Sequence, residues 1–203
     1  MLVGPKYKIC KRLGASVFEK CQTQRFQVAE ARAPRRTHAK RGGGGDYGAQ
    51  LLEKQKARFT YGLTESQFSR YVHEAMEKKG KESTSALVSR LESRLDNVVY
   101  RSGLVRTRRA ARQLVSHGHV TVNGRRMTVP SHAVVAGDTV GVRQESRGSA
   151  LFANRTEQMA DQKTPHWMKM EEGGMAFTVT ETPRTGETEA PFNPAVIIQF
   201  YSR

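Results

Sequence analysis

Between residues 84 and 142 the sequence changes its period, and that change leaves few folds open. Leu87, Val88, Leu91, Leu95, Val98 and Val99 recur at helical spacing, and Gly103 makes a good C-terminal stop. Thr107 is placed to cap a second helix, whose apolar side is Ala110, Ala111, Leu114 and Val115. The pattern then becomes alternation: Val120 and Val122 before Asn123-Gly124, Met127 and Val129 after it. Asn-Gly between two alternating runs is the strongest short hairpin signal, because a type I′ turn needs positive φ at both central residues. Pro130 stops the strand, Ala136-Gly137-Asp138 makes a turn, and Thr139-Val140-Gly141-Val142 supplies one more strand. The predicted unit is a helical pair beside a small sheet.

The flanks read differently. Residues 1–45 are a polar, basic arm that ends in Arg35-Arg36-Thr37-His38-Ala39-Lys40-Arg41 and then Gly42 to Gly45. Four glycines cannot sustain helix or strand, because too much backbone entropy is lost on ordering them. After them a helix is predicted from Asp46 through Arg58, with Ala49, Leu52 and Phe59 as core contacts. Thr64-Glu65-Ser66-Gln67 is a capping box ahead of the stripe Phe68, Tyr71, Val72, Ala75 and Met76, which Gly80 ends. At the far end Ser149 caps a short helix carrying Leu151, Phe152 and Met159. Pro165-His166-Trp167-Met168 and a strand over Val196–Tyr201 are expected to bury against the helical part. The fold class is α+β. It has a basic arm at 1–45, a helical domain at 46–91 completed by 150–203, and between them a two-helix, short-sheet RNA-binding module at 92–149.

Charge narrows the function. The chain carries 34 Lys and Arg against 19 Asp and Glu, net +15. Residues 1–45 hold 11 bases and 2 acids, and residues 94–126 hold 8 and 1, whereas 151–203 hold 5 and 7. A compact chain this basic repels itself, and a polyanion relieves the repulsion. Arginine rather than lysine dominates the central block, which suits the planar fork to phosphate oxygens. No stretch approaches the roughly 18 consecutive apolar residues of a membrane span, and residues 1–10 lack a signal-peptide core. Cys10 and Cys21 are too loosely spaced for a zinc knuckle. His38 would be a third ligand with no fourth, so the expectation is two reduced thiols, no metal and no cofactor. The segment His117-Gly118-His119 reads as a helix end and a strand start rather than as a metal pair.

The residues also resemble a family. Ser93 to Arg101, Thr107 to His119, Val122-Asn123-Gly124-Arg125 and Ala136-Gly137-Asp138 look like the RNA-binding module named after the fourth protein of the small ribosomal subunit. Similar modules occur in pseudouridine synthases, tyrosyl-tRNA synthetases and a heat-shock ribosome-rescue protein. The flanks point to the ribosomal family itself: Gly4-Pro5, Asp46-Tyr47-Gly48, Leu52 to Lys56, Tyr61-Gly62, Gln67-Phe68 and the ending Phe200-Tyr201-Ser202-Arg203. The resemblance implies direct binding to small-subunit rRNA at a junction in its five-prime domain, and nucleation of subunit assembly. It also implies neighbouring small-subunit proteins as partners, a place beside the path where mRNA enters, and an effect on decoding accuracy. The setting is the cytoplasm, in a bacterial or organellar ribosome. Some relatives hold zinc on four N-terminal cysteines. Here only Cys10 sits at a matching place, Tyr7 replaces a first cysteine and Cys21 falls off the pattern, so the zinc-free form is implied.

The residues expected to touch RNA are Arg94, Arg101, Arg106, Arg108, Arg109, Arg112, Arg125 and Arg126 in the module. Lys11, Arg12, Arg35, Arg36, Lys40 and Arg41 join them from the arm, and Lys54, Lys56 and Arg58 from the helical part. The rival readings are a ribosome-rescue protein and an RNA-modifying enzyme sharing the module. Arg94-Leu95-Asp96 matches the letters around the aspartate of pseudouridine synthases. It falls inside a helical stripe, however, with no second domain to take a flipped base, and Asp96 is expected to pair with a neighbouring arginine. The chain is therefore read as a binder and not an enzyme.

Overall fold

The computed structural model describes residues 4–32, 46–78, 81–149, 152, 164–171, 173–183 and 191–202. The chain divides into two compact units, 1–87 with 189–203, and 88–188.

The first unit is helical. Helix α1 (Lys6–Leu13) ends at Gly14, whose φ of 62° closes the helix in the left-handed region. A short 3₁₀ turn at Glu19–Cys21 leads into α2 (Gln24–Arg32). Cys10, Phe18, Cys21 and Phe26 bury together, with Ile9, Val17 and Phe59 against them, and the Tyr7 ring stacks on Phe26 at 5.2 Å. Helix α3 (Asp46–Thr60) follows, then α4 (Glu65–Met76), where the Thr64 hydroxyl accepts from the Gln67 backbone N–H at 3.4 Å. The Gln67 amide donates to the Tyr71 hydroxyl. Phe68, Tyr71, Val72 and Ala75 are buried, as their spacing predicts.

The second unit begins within α5 (Lys81–Glu92) and continues through α6 (Leu95–Arg101) and α7 (Arg108–Ser116). Strands β1 (Val120–Val122), β2 (Arg125–Met127) and β3 (Thr139–Val142) are joined by β4 (Met168–Met170) and β5 (Ala176–Val179). All pair antiparallel, in the order β2-β1-β3-β5-β4. Asn123 and Gly124 sit at φ 50° and 77°, the geometry the hairpin signal demanded. One core holds the apolar sides of α6 and α7 (Leu95, Val98, Val99, Ala111, Leu114, Val115) and the buried strand residues Val120, Val122, Val140, Val142, Phe177 and Val179.

Three expectations are corrected. The apolar repeat from Leu87 to Val99 is two helices, because Arg94 is extended (φ −65°, ψ 136°) and bridges to Ala133. The N–H groups of Leu95 and Asp96 donate to the carbonyls of His132 and Pro130, so a loop satisfies donors that would otherwise be orphaned at the start of α6. Residues 150–203 do not pass as a whole to the helical part. Strand β5 hydrogen-bonds to β3, and Trp167 is buried in the core of the second unit. Finally, Pro194–Tyr201 is a helix, α8, and not a strand. The Asn193 side chain accepts from the Ala195 N–H, and Pro194 fits the first turn. The glycine run Gly42–Gly45, together with Leu151 and Met159 of the expected short helix, lies outside the described residues.

Candidate nucleic-acid interface

In the second unit, Ala111, Leu114 and Val115 turn one side of α7 into the core, which leaves Arg109, Gln113 and Ser116 exposed and Arg108 and Arg112 on the flanks. Thr107 caps the helix by accepting from the Ala110 N–H at 3.0 Å. Two buried carboxylates then organise the arginines. Asp96 accepts from Arg94 Nε and Nη2 at 3.0 and 2.7 Å, and from Arg112 Nε at 3.1 Å. Glu92, whose side chain is 0% exposed, accepts from Arg101 Nε and Nη2, both at 3.0 Å, and from the Asn97 amide at 2.7 Å. The Asn97 side-chain oxygen Oδ1 accepts from Arg108 Nε at 2.9 Å, and the Arg108 guanidinium lies 4.3 Å over the Tyr100 ring. A buried carboxylate is costly unless hydrogen-bonded charges surround it, and here each one is clamped by a fork-shaped cation. The arrangement fixes three half-buried guanidinium groups (Arg101, Arg108 and Arg112) at their Nε edges.

The expected RNA contacts sort by exposure. Arg106, Arg109, Arg125 and Arg126 are exposed. Arg126 also donates to the His117 carbonyl at 3.3 Å, and its guanidinium fills the space over Gly118 that a Cβ would need. Arg94 is corrected: its side chain is 0% exposed and spent on Asp96, so it is structural. Asp96 pairs with neighbouring arginines as expected. Sequence reasoning missed Glu92 and Asn97 as the groups that orient Arg101 and Arg108. The available signal was an acid four residues from Asp96 at the edge of a basic block.

In the first unit, Lys11 and Arg12 are exposed in the last turn of α1, where the helix dipole favours cations. Lys54 is corrected. It is buried, donates to Glu65 at 2.7 Å and lies 4.9 Å from the Phe200 ring. Lys56 pairs with Glu53 at 2.6 Å, and Arg58 with Glu65 at 3.3 Å while covering the Phe59 ring. The Tyr201 hydroxyl also donates to Glu65, at 2.8 Å. Burial alone would raise the Glu65 carboxyl. The hydrogen bonds from Lys54 and Tyr201 and the charges of Lys54 and Arg58 outweigh it, and the group is held below the ordinary carboxylate range. The same contact, after burial, pushes the Tyr201 hydroxyl upward. Arg35, Arg36, Lys40 and Arg41 lie outside the described residues.

Among the described residues no group of three or more His, Cys, Asp or Glu is placed to hold a metal ion, and no helix is long and apolar enough to cross a membrane. Cys10 and Cys21 are buried and pack among aromatic rings, and the Cys21 thiol lies 3.8 Å from the Lys6 carbonyl.

Residues 1–92 match the family model described as the ribosomal protein S4/S9 N-terminal domain, and residues 93–140 match the S4 domain. The small ribosomal subunit protein uS4 of Roseiflexus castenholzii is 44% identical over 206 residues, covering 99% of this chain and 98% of the relative. Its namesake in Corynebacterium kroppenstedtii is 48% identical over 158 residues, 78% of each chain. That of Mycobacterium avium is 46% identical over the same length and share.

Proposed function

This chain belongs to the family of small ribosomal subunit protein uS4, and on that premise we propose that it is a structural component of the small subunit that binds the subunit's rRNA directly. The observation that carries the reading is the arginine-bearing side of α6 and α7, with the half-buried forks of Arg101, Arg108 and Arg112 fixed from beneath by Glu92, Asn97 and Asp96. Guanidinium groups held in place lose little freedom when phosphate arrives, so they favour a defined RNA shape. A-form RNA hides its base edges in a deep groove. Recognition at a junction therefore runs through phosphates, 2′-hydroxyls and shape, and affinity falls with salt as counterions are released.

The finer reading extends from there. The chain binds a junction in the five-prime domain early, nucleates the body of the subunit, and contacts neighbouring small-subunit proteins. It lies where mRNA enters and tunes decoding accuracy, in a cytoplasmic ribosome. It works by affinity and geometry rather than by catalysis. The module surface of Arg101, Arg106, Arg108, Arg109, Arg112 and Arg125 is the primary contact. Lys11 and Arg12, with Arg35, Arg36, Lys40 and Arg41, add the arm. If mRNA handling at this place is unchanged when Arg35 and Arg36 are replaced by alanine, the arm has no role in it.

The deciding experiment is binding of the full chain to the isolated five-prime domain of small-subunit rRNA across a salt series, against a size-matched unrelated RNA. Tight binding that survives the competitor is expected, with a salt slope that flattens when Arg108, Arg109 and Arg112 become alanine. Equal binding to both RNAs would overturn the reading and favour a general RNA-binding or rescue protein.

A further inference from the structure

Strand β3 runs out at Val142, and the chain then makes a 3₁₀ turn over Gln144–Ser146. Local bonds close the turn: the Ser146 N–H donates to the Arg143 carbonyl at 2.9 Å, and the Arg147 N–H to that of Gln144 at 3.2 Å. Gln144, Glu145, Arg147 and Gly148 are exposed and Ser146 is half-buried, so its hydroxyl is reached from solvent. That hydroxyl is also seated. Its Oγ lies 2.9 Å from His119 Nδ1, and the His119 carbonyl accepts from the Arg143 N–H at 2.8 Å. Three arginines share this corner. Arg143 and Arg147 stand three residues before and one after Ser146, and Arg147 is anchored by its Nε on the Val142 carbonyl at 3.2 Å. Arg126 comes from β2 and donates to the His117 carbonyl at 3.3 Å. The acid that answers them is Glu145, which takes Arg143 at 2.7 Å. Its carboxyl is held low first by its own backbone contact, then by Arg143 and, at longer range, Arg126.

We propose that Ser146 is a phosphorylation site, modified before the chain joins its RNA by a protein kinase that selects basic substrates, and that the phosphate silences the positive charge of this corner. The consequence for RNA rests on the reading of the module as an RNA binder. A kinase of that class reads an arginine ahead of the acceptor hydroxyl through its own carboxylates, and Arg143 stands at the place to be read. In the transfer, Ser146 Oγ attacks the γ-phosphorus of ATP. The Oγ–P bond forms as the bond to ADP breaks, and the hydroxyl proton passes to the aspartate base of the kinase. The product carries a charge of about −2 and three acceptor oxygens. Three arginines against one glutamate leave this corner with a positive surplus that such a group cancels. A dianion also outcompetes the single charge of Glu145 for the Arg143 fork, and His119 Nδ1 becomes a donor to it. A serine that merely lies on a surface has neither a seated hydroxyl nor cations already gathered for the product. The phosphate adds bonds to the turn instead of breaking them, so the chain keeps its fold while its attraction for a polyanion falls. Once RNA lies against the module the hydroxyl is covered, and the mark therefore belongs to the chain that is not yet assembled.

The test has two arms, both on the full chain. In the first, the chain is isolated from growing cells as free protein and as assembled small subunits, and the peptide spanning Ser146 is weighed by mass spectrometry. The phosphopeptide is expected in the free pool and depleted in subunits. Its absence from the free pool, or equal occupancy in both, overturns the proposal. In the second, phosphoserine is installed at position 146 during synthesis, and binding to the five-prime domain rRNA is measured across a salt series beside wild type and Ser146→Ala. The phosphorylated chain should bind about tenfold more weakly at low salt, with the slope of log affinity against log salt flattened by roughly 1 to 2. S146A should bind as wild type does, because the serine itself is not needed for RNA. The phosphorylated chain should melt no lower than wild type, which separates lost attraction from lost fold. Wild-type affinity in the phosphorylated chain, or a fall matched by S146A, overturns the proposal. If the unmodified chain itself does not prefer this rRNA to an unrelated RNA, the RNA-binding reading falls, and the silencing role falls with it.

Discussion

Arg94 and Asp96 stand two residues apart with Leu95 between them, and all three are buried. Replacing Asp96 with asparagine keeps the shape and removes the charge that Arg94 and Arg112 share. An uncompensated buried guanidinium costs about 3–5 kcal/mol, so D96N should lower the chemical-denaturation midpoint of the module by an amount of that order. An unchanged midpoint would mean that Arg94 finds another acceptor. Glu65 gives a prediction in pH. Its folded carboxyl is held below its unfolded range, so the unfolded chain takes up the proton first as pH falls. Its stabilising effect is fully present above the ordinary carboxylate range, and it is lost as pH drops through that range toward the depressed folded value. Thermal unfolding of wild type and E65Q between about pH 7 and pH 3 should show a shallower acid loss in the variant; parallel curves would remove Glu65 from the acid response. These two sites also show what the sequence withholds at this scale. Arg94 and Lys54 look, in a charge count, like Arg106. They differ only because an acceptor, Asp96 or Glu65, comes within 3 Å of each in the folded chain, and exposure is a property of the fold.

At the scale of elements, local chemistry was legible wherever it was self-contained. Asn123-Gly124 spells its turn without help. Thr64 and Thr107 cap α4 and α7 through neighbours three residues on. What could not be read were boundaries set from a distance. The break between α5 and α6 depends on the carbonyls of Pro130 and His132, more than thirty residues further along. Helix α8 is an error of weighting rather than of missing information. Val196, Ile197 and Ile198 are β-branched, which favours a strand, while Asn193-Pro194 carries a helix-start signal that prevails once Ile197 is buried and Tyr201 meets Glu65. That cap is open to test. Asn193→Ala removes the acceptor for the Ala195 N–H and should destabilise the first unit by about 1 kcal/mol. The unfolding midpoint reads it, and rescue by Asn193→Ser or Asn193→Asp would separate the cap from other effects. An alanine variant as stable as wild type would show that packing alone sets the helix start.

On the scale of the whole molecule, the chain's two units are not the two segments its charge and its familiar motifs suggest. The recognisable module ends near residue 149, yet its sheet does not. Strand β3 would be an edge at that point, with the N–H of Gly137 and Val142 facing water instead of the carbonyls of Val179 and Met175. Trp167, Phe177 and Val179 are 1%, 0% and 2% exposed in the same core as Leu95 and Val99. At about 1.5–3 kcal/mol for each large apolar side chain buried, their loss is on the order of 5 kcal/mol, comparable to the whole stability of a small domain. The intervening stretch is acidic and polar, which is why sequence reasoning sent 150–203 elsewhere as one piece. Only the alternation of short runs at 168–170 and 176–179 marked it as sheet, and runs of three and four residues are too short to be distinguished from turns by period. A fragment of residues 88–149 should therefore keep helical signal but lose cooperative unfolding and amide dispersion. A fragment of residues 88–188 should melt in a single transition. A cooperative melt from 88–149 would show that the helical pair and three strands are sufficient, and that β4 and β5 were added to a domain already complete.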